Sequence, residues 1–271
     1  ASLVDGLTVA QTRSARPFDL TGEPIEGGRD VSDAPDMEAP GQYLDTMPID
    51  GELYYRIPRT QSGSTIHAGL TFPSESGTIG DGVNLSLHPA SDVEGVSCVS
   101  TVAFGNAVGQ SKPFFFGGIS TWKEDSADPC NTDDEVVLKV DSFSAVNAGK
   151  PLEIAVYEEP PLADGADNEL QPAPEDEPWS PLEPSTDPAN DVVPGSSLAS
   201  APVLEDGSYT LDISQGETQV FAMPLDFGQH LQAQFDATLT PDAVDVAVAG
   251  SGIRVEVIGP LRTDDGISFY G

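Results

Sequence analysis

The chain has 271 residues, with 45 Asp and Glu against 11 Lys and Arg and a formal net charge of −34. Such a surface repels phosphate, so nucleic-acid binding is excluded as an expectation, and no apolar run reaches the roughly 18 residues of a membrane-crossing helix. A hydrophobic share of 38% still supports a packed core and argues against wholesale disorder.

Read in chain order, residues 1–27 form an N-terminal extension that starts at Ala1 rather than Met, as in a processed product or fragment. Within it Ser2–Thr12 is the best, and weak, helical candidate. Short β-branched or aromatic runs then follow at Tyr43–Met47, Glu52–Ile57, Thr65–Phe72, Asn84–His88, Ser97–Ala103, Phe114–Ser120, Val136–Asp141 and Pro151–Tyr157. Gly, Pro, Asp and Ser clusters punctuate these runs, as they do between strands. Leu85 and Leu87 alternate with Asn84, Ser86 and His88, and Val136 and Leu138 alternate with Val137 and Lys139. Period-two alternation predicts antiparallel sheets with one buried face. The spacing predicts an all-β, jelly-roll-like antiparallel sandwich over 28–157.

Residues 158–195 hold nine prolines and eleven acids and no Lys or Arg. Proline removes amide donors and fixes φ, while like charges repel, so this stretch reads as an extended acidic linker. On its far side the first segment returns. Gly28, Ala34-Pro35, Gly41-x-Tyr43, Gly51-Glu52 and Tyr55-Arg56-Ile57-Pro58 are matched by Gly195, Ala201-Pro202, Gly207-x-Tyr209, Gly216-Glu217 and Phe221-Ala222-Met223-Pro224. Gly63-x-x-Ile66-x-Ala68-x-Leu70 likewise meets Gly228-x-x-Leu231-x-Ala233-x-Phe235. An ordered series with single-residue indels is an internal duplication. The second module, 196–271, carries strand signals at Tyr209–Ile213, Gln219–Met223, His230–Ala237, Val244–Ala249 and Arg254–Val257, and reads as incomplete at its C-terminus.

These paired segments, "EGGRDVSDAPDMEAPGQYLDTMPIDGELYYRIP" and "GSSLASAPVLEDGSYTLDISQGETQVFAMPLDFGQHLQAQF", resemble the tandem β-sandwich ectodomains of actinobacterial cell-envelope proteins. Those often carry von Willebrand factor A modules upstream and a membrane anchor downstream. The same unit is similar to bacterial pre-peptidase C-terminal domains. The resemblance implies an exported, extracytoplasmic chain at the cell surface or envelope, attached to a membrane only through an anchor outside this chain. It brings no catalytic residues with it.

Catalysis finds little support in the residues. The histidines are His67, His88 and His230, and no G-x-S-x-G elbow occurs to seat a nucleophile. A pocket with two facing acids, or with a His beside a Ser, would favour a hydrolase reading. Cys98 and Cys130 show no metal-ligand or redox spacing and read as a disulfide, the alternative being two buried thiols. Asp125, Asp128, Asp133 and Asp134 crowd one loop with Asn131 and Glu135, so calcium is a speculative cofactor. In Phe114-Phe115-Phe116 at least one ring must reach each sheet face, which makes Phe114, Phe116 and Trp122 the candidate binding residues. The expected function is a non-enzymatic display or binding protein whose partner is an envelope protein or a cell-wall glycan. The alternatives are a carbohydrate-binding module or an accessory domain of an extracellular hydrolase. Outside the linker 34 acids still face 11 bases, and only four residues are Lys, so a halophile's surface protein also fits.

Overall fold

A computed structural model describes residues 18–49, 51–73, 82–104, 114–142, 145–161, 181–183, 185–186, 192–214, 217–226, 229, 231–235, 254–262 and 264–270. The chain divides into two compact units, Leu20–Ala163 with Glu256–Ser268, and Ala1–Asp19 with Asp164–Val255 and Phe269–Gly271.

The first unit is an all-β sandwich. Its strands are β1 (Glu23–Pro24), β2 (Gly41–Thr46), β3 (Glu52–Pro58), β4 (Thr65–Pro73), β5 (Gly82–Pro89), β6 (Val99–Phe104), β7 (Phe114–Ser120), β8 (Glu135–Ser142) and β9 (Pro151–Glu159). One sheet has five strands in the order β1-β2-β9-β4-β7, the other four in the order β3-β8-β5-β6. The pairing is nested: β2 with β9, β3 with β8, β4 with β7 and β5 with β6, each antiparallel. All eight strands expected between Tyr43 and Tyr157 are present, and β1 adds a short parallel edge to β2 from within the N-terminal extension. The proposed helix at Ser2–Thr12 lies outside the described residues.

Alternation decides which side chains meet between the sheets. Leu53, Tyr55 and Ile57 of β3, Val83, Leu85 and Leu87 of β5, and Val136, Leu138 and Val140 of β8 face Ile66, Leu70 and Phe72 of β4 and Leu152, Ile154 and Val156 of β9 in one core. Burying each large side chain contributes about 1.5–3 kcal/mol. Phe115 joins that core, with its ring centroid 5.1 Å from that of Phe72. Tyr55 is fully buried, and its hydroxyl donates to Asp45 Oδ2 at 2.7 Å, as a phenol removed from water requires. Burial followed by the Asp45 charge raises the Tyr55 pKa well above its ordinary value.

Three polar ties fix the loops at one end. Cys98 and Cys130 form a disulfide with Cα atoms 5.6 Å apart. Arg59 reaches the same loop, its guanidinium donating to Thr121 Oγ1 at 3.2 Å and to the Cys130 and Asp133 carbonyls. Glu158 accepts from Thr60 N, Thr60 Oγ1, Gln61 N and Ser64 Oγ, which closes the β3–β4 turn. Strand β9 therefore runs through Glu158 and Glu159, two residues into the stretch that composition assigns to the linker. Hydrogen bonds to these acids outweigh the local acidity that suggested an extended spacer.

In the second unit the described residues repeat the bonding of the first segment. Gly28 and Tyr54 exchange backbone bonds of 2.9 Å, and Gly195 and Val220 exchange bonds of 3.0 and 3.3 Å. Arg56 N donates to Pro35 O and Met37 N to Arg56 O, just as Ala222 N donates to Pro202 O and Leu204 N to Ala222 O. Tyr43 OH donates to Glu38 O at 2.9 Å, and Tyr209 OH donates to Glu205 O at 2.7 Å. The capping box of Asp30 and Asp33 reappears as Ser197 and Ser200, whose side chains bond each other's amides at 3.0 Å. Around these contacts the described residues of Tyr209–Ile213 and Gln219–Met223 make single bridges where strands were expected. Val244–Ala249 lies outside the described residues. Strand β10 (Arg254–Ile258), whose residues from Glu256 onward belong to the first unit, falls at the last expected position and pairs with β11 (Asp264–Tyr270), which the sequence did not suggest.

Candidate functional site

The outer face of the four-stranded sheet is polar. The alternation that sends Leu85 and Leu87 inward turns Asn84, Ser86 and His88 outward, and β8 does the same with Lys139 and Asp141. Register then sets the neighbours: Asn84 lies opposite Asp141, and Ser86 lies opposite Lys139 on one side and Ser100 on the other. With Gly95, Ser97, Thr101 and Val102 these residues line a groove of about 650 Å³.

Within the groove Asn84 Nδ2 donates to Asp141 Oδ2 at 2.9 Å. Ser86 Oγ and His88 Nε2 are hydrogen bonded at 3.0 Å. Lys139 Nζ lies 2.6 Å from Glu52 Oε1 and 5.8 Å from the centroid of the Tyr54 ring, and the Tyr54 hydroxyl donates to Glu52 Oε2. Burial acts to raise the Glu52 pKa, but hydrogen bonds from Lys139 and Tyr54 prevail and hold it below the ordinary carboxylate range. Burial, then the Lys139 charge, holds His88 below its usual value against the pull of Glu94, Asp92 and Glu52. His88 is therefore neutral at pH 7. The residue is 9% exposed, and its Nδ1 has no hydrogen-bond partner among the described residues.

A histidine does stand beside a serine here, the arrangement that favours a hydrolase. Acyl transfer also needs a group that orients the imidazole through its other nitrogen, and no described residue bonds His88 Nδ1. Two acids, Glu52 and Asp141, are register partners on adjacent strands. A general acid needs a raised pKa, whereas that of Glu52 is lowered. What the groove offers is a row of hydrogen-bond donors and acceptors with one cation, itself paired with an acid.

The residues singled out from sequence fall elsewhere. Phe114 and Phe116 are on the outer face of the five-stranded sheet, with ring centroids 6.2 Å apart, Phe114 buried and Phe116 half-buried. Trp122 follows β7 and is 65% exposed. In the acidic loop, Asp128 Oδ1 caps the short helix α1 (Pro129–Thr132) by accepting from Cys130 N, Asp125 Oδ1 accepts from Ala127 N, and Asp133 Oδ2 accepts from Ser91 N. The Asp134 carbonyl accepts from Arg59 N. The Asp125, Asp128 and Asp133 carboxylates tie the loop to itself and to its neighbours, and among the described residues no three acidic, His or Cys side chains are grouped to hold a metal ion. Sequence reasoning did not assign the groove, although the alternation in β5 and β8 carries its signal.

No protein-family model matches the chain, and no curated protein matches it. Among solved structures, that described as "CBM4 structure and function" aligns at 10% identity with a TM-score of 0.27, over 45% of this chain and 66% of that one. An empty virus-like particle of Cowpea mosaic virus aligns at 12% identity and 0.24, over 36% of this chain and 51% of that one. A mutant xylanase 10C from Cellvibrio japonicus in complex with xylopentaose aligns at 10% identity and 0.27, over 47% of this chain and 28% of that one. In each case the aligned part is less than two thirds of the neighbour's own length.

Proposed function

We propose that this chain binds and displays rather than catalyses, and that its ligand is a neutral glycan held in the groove of the four-stranded sheet. The observation that carries this reading is the row Asn84, Ser86 and His88 set between Asp141 and Lys139 on one side and Ser100 and Thr101 on the other. Hydroxyl, amide, carboxylate and imidazole groups fixed on a sheet suit the paired hydroxyls of a sugar ring, and a rigid support lowers the ordering cost of binding. A net charge of −34 disfavours anionic glycans through long-range repulsion.

The architecture of this reading is two jelly-roll modules related by duplication and joined by the acidic Pro-rich linker. The nested strand pairing of the first unit supports it, as do the matched backbone bonds of the second. An extracytoplasmic setting is supported by the disulfide, since such bonds persist where the surroundings are oxidising. The partner is then a cell-wall glycan, the alternative being an envelope protein.

The test is a panel of neutral oligosaccharides titrated calorimetrically into the whole chain. Asn84→Ala and Asp141→Ala should each weaken binding about 10-fold, as expected for a lost polar contact. No heat with any neutral glycan at millimolar concentration would end the proposal. Binding that survives both changes but is lost in Trp122→Ala would move the site to the aromatic strand.

A further inference from the structure

The outer face of the five-stranded sheet carries a second built site, independent of the groove. Gly69 of β4 and Gly118 of β7 are register partners, and Thr71 of β4 lies opposite Glu153 of β9. Glu153 is only 1% exposed, yet it bears a carboxylate. Its Oε2 accepts from Thr21 N and its Oε1 from Arg262 Nη2, both at 2.9 Å, while Arg262 Nε donates to Thr71 Oγ1 at 3.2 Å. Arg262 ends the turn that leaves β10, closed by a bond of 3.0 Å from its own amide to Gly259 O. Its φ is +61°, a left-handed region that disfavours a side-chain-bearing residue and persists where the surroundings impose it. A Cβ at Gly69 would lie 2.5 Å from Arg262 Cγ, and one at Gly118 would collide with the Leu261 carbonyl oxygen.

The two glycines make a slot that admits backbone, the carboxylate supplies the charge, and Thr71 fixes the plane of the guanidinium. We propose that this slot is a recognition site for an arginine-bearing turn, and that the corresponding turn of a second copy of the chain is its ligand in trans. Within one chain the contact closes a loop of 109 residues, and the effective concentration of a tethered partner falls roughly as the −3/2 power of tether length. A second copy therefore competes with the chain's own turn where the chain concentration approaches that effective value, roughly the millimolar range. An empty slot leaves a buried carboxylate without its countercharge, which is strongly unfavourable, so a vacant slot favours a fitting turn from another copy.

Two full-length variants isolate the two halves of the contact. Gly118→Val fills the slot and leaves the turn intact; Arg262→Ala disarms the turn and leaves the slot intact. Each alone should elute as a monomer in size exclusion with light scattering, at physiological salt or above, where the Debye length is about 8 Å or less and like-charged copies can approach. Mixed in equal amounts near 0.5 mM, roughly the range in which mass action reveals a weak pair, they should raise the weight-average mass by about 1.3-fold or more. Free arginine at tens of millimolar, roughly a hundredfold over protein by the same mass action, should reverse the rise by competing for Glu153. A mixture whose mass stays at that of the separate variants would overturn the proposal, as would a rise that arginine leaves untouched. If circular dichroism shows that Gly118→Val has lost its β signal, Gly69→Ala serves as the blocked slot, because its Cβ meets the Arg262 side chain.

Discussion

Replacing Glu158 by Gln tests whether a single carboxylate holds the β3–β4 turn. The side chain is 9% exposed and accepts from Thr60 N at 2.9 Å, Thr60 Oγ1 at 2.6 Å, Gln61 N at 3.0 Å and Ser64 Oγ at 2.5 Å. Burial works to raise its pKa, but the bonds from Ser64, Thr60 and Gln61 prevail and the folded value lies below the ordinary one. Glutamine keeps one acceptor oxygen and loses the charge. Thr60 and Gln61 are exposed and can bond water, whereas Ser64 is 1% exposed and cannot. With bonds to charged groups contributing about 1.5–3 kcal/mol, the net loss is about 2 kcal/mol at pH 7. Because folding lowers the pKa, the carboxylate's contribution is complete above the unfolded value near 4.3 and disappears as pH falls through the folded one. Urea denaturation followed by circular dichroism should show a midpoint lower by about 1 M at pH 7. The gap should stay constant from about pH 5 to 8 and shrink below about pH 4. A gap under about 0.5 kcal/mol at pH 7, or an equal gap at pH 3, would refute this account of the turn.

Reducing the disulfide, or replacing Cys98 and Cys130 by Ala, opens a loop of 32 residues and should destabilise the sandwich by about 3–4 kcal/mol on the chain-entropy argument. Scanning calorimetry with and without reductant measures it, and an unchanged melting temperature would contradict it. Leu138 is fully buried at the centre of the core, so Leu138→Ala should cost about 2–5 kcal/mol, read in chemical denaturation. Lowering the pH should weaken any ligand contact that needs neutral His88, whose pKa is held below its usual value by burial and then by Lys139. Calorimetric titration in steps downward from pH 7 should therefore hold its affinity through the ordinary imidazole range, about 6.5, and weaken only below it, and a loss already complete at about 6.5 would contradict the lowered value.

Strand positions were legible because alternation is a local property. Asn84, Ser86 and His88 interleave with Leu85 and Leu87, and β5 lies where that pattern puts it. What remained hidden depends on register and on distant partners. Nothing local to Asn84 says that Asp141 lies opposite, and that pairing makes the groove. Glu153 and Glu158 read as surface acids among many, yet they are 1% and 9% exposed because Arg262 and the Thr60–Ser64 turn come from far along the chain. The match between the two segments could be read from glycines, prolines and tyrosines, but the bonds of the capping boxes could not. Asp30 and Asp33 in the first segment and Ser197 and Ser200 in the second make equivalent bonds through different atoms. Leu211 and Phe221 occupy the positions of the hydrogen-bonded Asp45 and Tyr55, so the acid and the phenol are absent together.

The nested pairing has a consequence for biogenesis. In each sheet an interior position is taken by one of the last two strands of the sandwich: β8 lies between β3 and β5, and β9 between β2 and β4. A polypeptide made or threaded from its N-terminus thus carries half-built sheets, with bare hydrogen-bonding edges, until residue 159 has emerged. Topologies dominated by such distant contacts fold slowly, and open edges invite pairing with other chains. The nascent chain would depend on escort by a chaperone, or on its own abundant negative charge, to stay dispersed until the last interior strand slides home.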